Sequence, residues 1–227
     1  MVLSVIMPCY NEADSLPIIL ERVRAVRFDK EIIVVDDCSS DNTAEVLAEE
    51  QRKDPTLRVV RHLRNSGKGA AVRTGFAHAS GDIIIVQDAD LEYDPNDYYQ
   101  VINPIVDGKV DVVFGSRFMG NHTGMYFWNA LGNKCLTFLT NFLFNCWISD
   151  METCYKAFRA DIIKNIPLES NDFRIEPEIT AKILLRKHRI YEVPVSYIGR
   201  TYEEGKKMKP SQGFWAIWAL FKYRFLA

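Results

Sequence analysis

Asp82-Ile-Ile-Ile-Val-Gln-Asp-Ala-Asp-Leu-Glu-Tyr-Asp-Pro95 joins a short β-branched apolar run to a cluster of acids. The run Ile83–Val86 has turn-forming neighbours on both sides, which is the pattern of a strand buried on both faces. Asp88 and Asp90 follow it two positions apart, so they would project to the same side of an extended backbone. Two carboxylates a few ångströms apart repel each other by ~4 kcal/mol at an effective dielectric of ~20. A divalent cation with oxygen ligands removes that repulsion, so the stretch predicts a metal site; a solvated loop is the alternative.

The composition fits one large or two small domains with a substantial core. The chain has 227 residues, of which 48% are hydrophobic. Its net charge of −2 gives no indication of a nucleic-acid partner. The five cysteines are odd in number and contain no Cys-x-x-Cys pair, which argues against a disulfide framework and a zinc site and favours a reducing cytosol. No signal peptide is expected, because a strand-like segment follows the first Met directly.

The first half of the chain alternates predicted strands with predicted helices. The strands are predicted at residues 3–7, 31–35, 58–62, 83–86 and 110–115. The helices are predicted at residues 15–24, 43–53, from the glycine turn at 67–69 to 79, and 95–106. This order predicts an α/β fold with a mostly parallel, doubly wound sheet and helices on both faces.

Three polar clusters follow the carboxyl ends of predicted strands. They are residues 10–12, Asp36-Asp37 and residues 88–92. Ligands of open α/β sheets bind beyond the carboxyl ends of the strands, whereas solvated loops would scatter such clusters over both ends. The clustering therefore predicts a nucleotide site, with an acid for the ribose or base and a metal for the diphosphate.

Gly67-Lys68-Gly69 opens a predicted helix and has two interpretations. Glycines at a helix start allow backbone amides to approach phosphate. The sequence matches neither Gly-x-x-x-x-Gly-Lys-Ser/Thr nor Gly-x-Gly-x-x-Gly, so P-loop and dinucleotide sites are weakly supported. A plain turn and helix start is the alternative, with Lys68 near the nucleotide as the functional option.

Five segments together resemble family 2 glycosyltransferases with the GT-A fold, above all dolichyl-phosphate mannose synthases and bacterial polyprenyl-phosphate relatives. They are Ser4-Val-Ile-Met-Pro-Cys-Tyr-Asn-Glu12, Val35-Asp-Asp-Cys-Ser-Ser-Asp-Asn-Thr43, Gly67-Lys-Gly69, Asp88-Ala-Asp90 and Gly115-Ser-Arg117. The resemblance extends over essentially the whole chain, since Asp150-Met-Glu-Thr-Cys-Tyr-Lys-Ala-Phe-Arg159 and Gly199-Arg-Thr-Tyr-Glu-Glu-Gly-Lys-Lys207 also fit. Any one segment is moderately specific, and five in the family order are highly specific.

The resemblance implies a role for each matching position. The residues implied for the nucleotide sugar are Pro8, Tyr10, Glu12, Val35, Asp37, Lys68, Asp88, Ala89 and Asp90. Mg²⁺ or Mn²⁺ would be held by Asp88, Asp90 and Glu92. The phosphates of donor and acceptor would meet Arg117, Arg200 and Lys206, which with Asp88 and Asp90 form the implied catalytic set. Metal and cations would stabilise the charge that grows on the departing nucleoside diphosphate.

The second half of the chain suggests how a lipid acceptor is reached. Residues 124–148 are apolar but interrupted by Asn129, Asn133 and Asn141 at helical spacing, which predicts an amphipathic helix or a core helix, not a transmembrane span. Residues 213–226 are aromatic, too short for a span and follow a lysine-rich stretch, which suits an interfacial anchor; a core helix is the alternative. A helix at 180–187 and a strand at 190–195 are also predicted.

A phosphate acceptor needs no base, because a phosphate monoester with a second pKa of ~6 is mostly dianionic at pH 7. None of the histidines is well placed to act as a general base in the predicted fold. Asp150 and Glu152 are possible bases for a hydroxyl acceptor, or else helix caps.

The chain departs from its relatives on the acceptor side. The relatives often carry His where Asn129 stands, and Trp-Lys-Asp-Gly where this chain has residues 209–213.

We therefore expect a single GT-A domain over residues 1–227, with a nucleotide-sugar half at 1–120 and an acceptor half at 121–227. The expected activity is metal-dependent, inverting transfer of a mannose- or glucose-type hexose from a GDP- or UDP-sugar to a polyprenyl or dolichyl phosphate. The expected location is cytoplasmic, peripheral at the cytosolic face of a membrane. The alternatives are transfer to a sugar hydroxyl of a polysaccharide or glycolipid, and a non-catalytic nucleotide-sugar-binding partner of a membrane complex. The intact Asp88-x-Asp90 pair argues against the non-catalytic partner.

Overall fold

The computed structural model describes residues 1–200 and 211–226, and the first half follows the predicted alternation of strands and helices. The strands in these ranges are β1 (Leu3–Cys9), β2 (Lys30–Asp36), β3 (Arg58–Arg61), β4 (Ile83–Val86), β5 (Val112–Ser116), β6 (His122–Thr123), β7 (Lys156–Arg159), β8 (Ile190–Pro194) and β9 (Tyr197–Ile198). The helices are α1 (Leu16–Ala25), α2 (Thr43–Lys53), α3 (Lys68–His78), α4 (Tyr98–Val106), α5 (Phe127–Phe144), α6 (Ala160–Lys164), α7 (Ile175–Leu185) and α8 (Ser211–Phe225).

The apolar strand β4 lies in the middle of a seven-stranded sheet with the order β3-β2-β1-β4-β7-β5-β8. The strands β1 to β4 are parallel to one another, with Leu3 opposite both Lys30 and Ile83. β5 and β8 are also parallel, and β6 and β9 form a separate two-stranded sheet. The predicted mostly parallel sheet is confirmed, and it brings the carboxyl ends of β1, β2 and β4 to the same end of the molecule.

The strand β7 was not predicted. It lies between β4 and β5 and is antiparallel to both. Its sequence, Lys-Ala-Phe-Arg, has only two apolar residues and lacks the pattern of a central strand. The charge of Lys156 is tolerated there because Glu176 Oε2 lies 2.5 Å from its Nζ. Since β7 comes from beyond residue 121, the two predicted halves of the chain contribute to one sheet.

Helices cover both faces of this sheet. Val5 and Met7 of β1 belong to the apolar layer beneath α1, α2 and α4. Ile6, between them, belongs to the opposite layer beneath α3, α6 and α7. This alternation is expected of a strand buried on both faces, and it confirms the doubly wound arrangement.

The helices α5 and α8 pack against each other beside the sheet. Leu136 and Leu143 of α5 share an apolar cluster with Ala216 and Leu220 of α8. Residues 213–226 are thus anchored in the protein along one side of α8, as the core-helix alternative expected. Among the helices that the structure describes, none has the length and apolar character needed to cross a membrane.

Two helix boundaries differ from the predictions. α7 begins at Ile175, earlier than predicted, so that Pro177 lies in its first turn, where a missing N–H costs little. α5 ends at Phe144, and the following Asn145 adopts a left-handed conformation with φ of 49°. Asn141 does not contribute to a polar face, because its side chain bonds both the N–H and the C=O of Ile148 and closes this end of the helix.

Candidate active site

The carboxyl ends of β1, β2 and β4 open into a cavity of about 350 Å³. The predicted site residues that line it are Pro8, Tyr10, Glu12, Asp37, Lys68, Asp88, Ala89, Asp90, Glu92, Arg117 and Arg200. Soon after each of the three strands the backbone turns into a left-handed conformation, at Asn11, Cys38 and Leu91. Such conformations are uncommon for residues other than glycine and are concentrated at functional sites.

Asp88 forms an ion pair with a largely buried lysine. Lys68 Nζ lies 2.8 Å from Asp88 Oδ1, and it also lies 2.9 Å from Cys154 Sγ and 3.6 Å from Glu176 Oε1. Burial alone would raise the pKa of Asp88, but the ammonium group of Lys68, the Cys154 thiol and the charge of Arg200 together lower the pKa. Asp88 is therefore ionised at neutral pH.

Asp90 holds its negative charge less easily than Asp88. Burial and the nearby carboxylates of Asp88 and Glu92 raise the pKa of Asp90 to about 7. Arg200 offsets this in part, since its Nη2 lies 3.1 Å from Asp90 Oδ2. The same guanidinium also contacts Glu12, with Nη1 3.1 Å from Oε2. Negative charge is thus in excess around Asp90, which is where an added cation would relieve the most repulsion.

Asp88 and Asp90 suit a divalent cation that arrives with a nucleotide. Mg²⁺ commonly takes one or two protein carboxylates and completes its shell with substrate phosphates and water. In residues 1–200 and 211–226, no three His, Cys, Asp or Glu side chains form a group that could hold a metal by themselves. Asp88 and Asp90, which both line the cavity, could supply two carboxylate ligands to such a metal.

Glu92 has partners other than the predicted metal. Its Oε2 accepts a hydrogen bond from the Tyr197 hydroxyl at 2.9 Å, and its Oε1 accepts one from the Arg200 backbone N–H at 2.9 Å. Both oxygens thus fix the segment that carries Arg200. These contacts occupy both oxygens in the described structure, and the role of Glu92 as a third metal ligand stays a prediction.

Asp37 lines the cavity and also holds the loop that leads into α3. Its carboxylate accepts hydrogen bonds from the backbone N–H groups of Ser66 at 2.9 Å and Gly67 at 2.7 Å. His62 Nδ1 lies 2.7 Å from Asp37 Oδ1, and its Nε2 lies 2.9 Å from Thr74 Oγ1. Asp37 therefore joins β2, β3 and the start of α3 at the edge of the cavity.

The glycines of Gly67-Lys68-Gly69 are required by packing. A Cβ at Gly67 would lie 2.3 Å from the carbonyl oxygen of Asn171, and one at Gly69 would lie 2.5 Å from that of Ser170. Gly67 also has a φ of +94°, which side chains disfavour. The turn-and-helix-start interpretation therefore accounts for both glycines, and this turn directs Lys68 into the cavity.

Arg117 is fixed at the cavity wall by Asp150. Its Nε lies 2.7 Å from Asp150 Oδ2 and its Nη2 lies 2.7 Å from Oδ1, a bidentate pair. The guanidinium also lies over the Tyr197 ring, 5.3 Å from its centroid. Asp150 is fully buried and caps no helix. Its carboxylate is fully engaged by Arg117, which leaves Glu152 as the remaining candidate base.

Glu152 lines the cavity without a partner for one of its oxygens. Its Oε1 is shielded from solvent and has no hydrogen bond within the described part of the chain. Burial and the carboxylate of Glu176 raise the pKa of Glu152 to about 7. Glu176 in turn lies between Lys156 and Lys68. A carboxyl that is half protonated near neutral pH can either accept or donate a proton.

Two predicted residues do not appear in the cavity lining. Val35 is fully buried in the layer beneath α3, because its position in β2 directs the side chain into the core. The role of Val35 at the nucleoside therefore stays a prediction, and its buried side chain leaves the backbone as the group that could make the contact. Lys206 lies outside the residues that the structure describes.

The second half of the chain supplies lining residues that the sequence analysis did not assign to a site. They are Met125, Asn129, Asn133, Cys154, Phe173, Glu176 and Tyr197. The available signal was the spacing of Asn129 and Asn133, two amides one turn apart in an otherwise apolar helix. Glu176 gave no signal, because an acid in the first turn of a helix is ordinary.

A protein-family model described as "Glycosyl transferase family 2" matches residues 4–166 of this chain. The chain is 32% identical over 212 residues to the dolichol-phosphate mannosyltransferase of Pyrococcus furiosus, covering 91% of this chain and 59% of that protein. It is 27% identical over 220 residues to the undecaprenyl-phosphate mannosyltransferase of Micrococcus luteus, covering 88% of this chain and 85% of that protein.

A solved structure shares the fold. Glucosyl-3-phosphoglycerate synthase from Mycobacterium tuberculosis, crystallised with Mn²⁺ and UDP-glucose, matches all of this chain and 80% of its own with a TM-score of 0.78. At 17% identity this likeness shows the fold alone, and it confirms the GT-A architecture that the resemblance implied. The family model, by contrast, covers more than half of the chain. This chain belongs to glycosyltransferase family 2.

Proposed function

We propose that this chain transfers one hexose from a nucleoside-diphosphate sugar to a polyprenyl phosphate in a metal-dependent, inverting reaction at the cytosolic surface of a membrane. The observation that carries the proposal is the set of charges in one cavity. Two aspartates suited to a metal lie beside three cations suited to phosphates, Lys68, Arg117 and Arg200. A diphosphate donor and a phosphate acceptor need a metal and these cations in the same cavity. The names of the two mannosyltransferases support a lipid-phosphate acceptor.

Asp88 and Asp90 would hold Mg²⁺ or Mn²⁺, which when bound offsets the charge of the departing diphosphate. Lys68 and Arg200, which contact these aspartates, would stabilise the same leaving group. An oxygen of the acceptor phosphate attacks C1 of the hexose from the face opposite the diphosphate. The bond from C1 to the diphosphate oxygen breaks, and the nucleoside diphosphate leaves with that electron pair. The configuration at C1 is therefore inverted.

The phosphate acceptor accounts for the absence of a histidine base. All four histidines lie within residues 1–200, and none lines the cavity. A dianionic phosphate already carries the electron pair that it donates. It needs a fixed cation more than a base, and Arg117, held bidentately by Asp150, provides one.

Exposed apolar faces of α5 and α8 support a membrane-bound acceptor. The exposed large apolar side chains of α5 are Phe127, Trp128, Leu131, Phe138 and Phe142. Those of α8 are Phe214, Trp215, Ile217, Trp218, Phe221 and Phe225. Large exposed apolar patches mark contact sites for proteins or membranes. Aromatic residues with nearby Lys222 and Arg224 suit the headgroup region of a bilayer.

The test uses GDP-mannose and UDP-glucose labelled in the hexose, with Mn²⁺ and a polyprenyl phosphate. We expect label to enter the organic phase as a polyprenyl-phosphate hexose with one of the donors, and none to do so in EDTA. Label found only in free hexose released by hydrolysis, or only on added sugar acceptors, would contradict the proposal.

Transfer to a sugar hydroxyl is the second candidate, and Glu152 is the observation that favours it. A general base works best with a pKa near the operating pH, and the pKa of Glu152 is about 7. The Glu152→Gln variant separates the two candidates. Transfer to a phosphate should survive it, whereas transfer to a hydroxyl should be lost.

A further inference from the structure

The polar side chains of the cavity fall into two groups. The charged ones are paired with each other: Lys68 with Asp88, Arg200 with Asp90 and Glu12, and Arg117 with Asp150. A second group is not paired. The side-chain amides of Asn129 and Asn133 make no hydrogen bond to another described residue, and neither does Oε1 of Glu152. Glu152 Oε1 is shielded from solvent and the two Asn side chains are half-buried, and shielded polar groups are normally satisfied by protein, water or a ligand.

The unpaired group lies along one part of the cavity wall. Asn129 and Asn133 are four residues apart on α5, so they point to the same side of the helix. The backbone N–H of Met151 donates a hydrogen bond to Thr137 Oγ1 at 3.1 Å, one turn beyond Asn133. This contact holds the segment that carries Glu152 against the same helix.

The chemistry of this part of the wall differs from that around the aspartates. An amide offers both donors and acceptors, and so does a protonated carboxyl group. Burial and Glu176 raise the pKa of Glu152 to about 7, so its neutral form is well populated. Sugar hydroxyls also donate and accept, whereas phosphates and metals are matched by the charged group.

We propose that Asn129, Asn133 and Glu152 form a subsite that binds the hydroxyl groups of the donor hexose and determines which hexose is transferred. The subsite rests on the proposed function, because the hexose is attached to the diphosphate that Lys68 and the aspartates bind. Glu176 links the two regions: it lies 3.6 Å from Lys68 and is the neighbouring charge with the largest effect on Glu152. A hexose that leaves these polar groups unpaired would be rejected more strongly than one that only fits loosely.

The test measures dissociation constants by calorimetry in Mn²⁺ for UDP, UDP-glucose, GDP and GDP-mannose. The ratio of the dissociation constant of a nucleotide sugar to that of its own nucleoside diphosphate isolates the contribution of the hexose. The variants are Asn129→Ala, Asn133→Ala, Glu152→Ala and Glu152→Gln. Asn103→Ala is the matched control, since Asn103 is an exposed helical Asn outside the cavity. Circular dichroism verifies that each variant folds.

We expect each cavity Ala variant to shift this ratio against the hexose by roughly fivefold, the effect of one hydrogen bond. The affinity for the nucleoside diphosphate should change by less than about twofold, because the charged group is intact. Glu152→Gln should restore most of the ratio, since its amide both donates and accepts. The control should match the wild type.

Ratios that remain at the wild-type value in all three Ala variants would overturn the subsite and leave the proposed function standing. A Glu152→Gln variant that loses as much as Glu152→Ala would also overturn it, because the site would then require a charge. A wild-type chain that binds neither nucleotide pair would overturn the proposed function together with the subsite.

Discussion

Asp88 and Asp90 are two positions apart at the end of β4, but their surroundings differ. Asp88 is neutralised by Lys68, whereas Asp90 is surrounded by carboxylates and, among the described residues, has Arg200 as its counter-charge. We therefore expect Asp88→Asn and Asp90→Asn both to abolish turnover, but with different effects on stability. Removing Asp88 leaves Lys68 without its main partner, at a cost of about 3 kcal/mol. Removing Asp90 relieves repulsion.

The measurement is thermal unfolding of the two variants in EDTA. For a chain of this size, 3 kcal/mol corresponds to roughly 6–12 °C, so Asp88→Asn should melt that much lower while Asp90→Asn melts near the wild type. Equal losses in both variants would contradict this account of the pair, and so would turnover that survives in EDTA.

The pKa of Asp90 makes the metal site sensitive to pH. The pKa of about 7 in the folded chain lies above the ~3.9 of an unfolded Asp, so the folded state retains a proton that the unfolded state has released. The resulting stability is fully present below about pH 4 and is lost as the pH rises through about 7. In EDTA, the melting temperature of the Asp90→Asn variant should therefore fall less between pH 5 and pH 8 than that of the wild type.

Metal binding should show the opposite trend, because it requires the ionised carboxylate. We expect Mn²⁺ affinity to rise with pH, by up to about tenfold per unit below pH 7. Calorimetric titration of Mn²⁺ in the presence of a nucleoside diphosphate measures this. An affinity that is constant from pH 6 to pH 8 would contradict the assignment of Asp90 as a ligand.

At the scale of elements, α8 has two apolar sides with different surroundings. Leu220 and Tyr223 are buried against α5 and α7, while Phe214 and Trp218 are exposed. Truncation before α8 would therefore remove core packing together with any membrane contact. Point substitutions on the exposed side distinguish the two roles.

We expect Phe214→Ser with Trp218→Ser to lower binding to anionic liposomes by at least about tenfold, because two aromatic contacts with the bilayer are lost. The melting temperature should change little. Leu220→Ala is the matched control: it should cost about 2–5 kcal/mol of stability and leave liposome binding by the folded fraction unchanged. Liposome binding that is unaffected by the double substitution would exclude this face as the membrane contact. Salt should weaken the wild-type binding, because Lys222 and Arg224 would be screened.

At the scale of the whole molecule, metal and nucleotide should stabilise the fold together. In the proposed function the aspartates would provide only part of a metal's coordination shell, and the nucleotide would bind in the cavity formed by loops after three strands. We expect a thermal-shift panel of GDP- and UDP-sugars to show a larger shift with Mn²⁺ than the sum of the separate shifts. A ligand at ~100 times its dissociation constant stabilises by ~2.7 kcal/mol, or roughly 5–11 °C here. Additive shifts, or nucleotide-sugar shifts that are as large in EDTA as with Mn²⁺, would contradict a shared site.

Much of this architecture is determined by local sequence. The apolar run Ile83–Val86, its counterparts in β1 and β2, and the helices between them specify a parallel α/β sheet, because side-chain period and chain order are local properties. Acids placed directly after those strands must meet at one end of such a sheet, which is why the location of the cavity was predictable from residues 10–12, 36–37 and 88–92.

Only the tertiary structure decided which charges face each other. Asp150 binds Arg117, 33 residues away, and Glu92 binds the segment before Arg200, over 100 residues away. The lysine of the polar strand β7 is satisfied by Glu176 and by the carbonyl oxygens of Met151 and Thr153. Local patterns carry no information about such partners, since a carboxylate has the same sequence signature whether it binds a metal, fixes a loop or remains unpaired. Its pKa and role depend on burial and on neighbours that meet only when the sheet is complete.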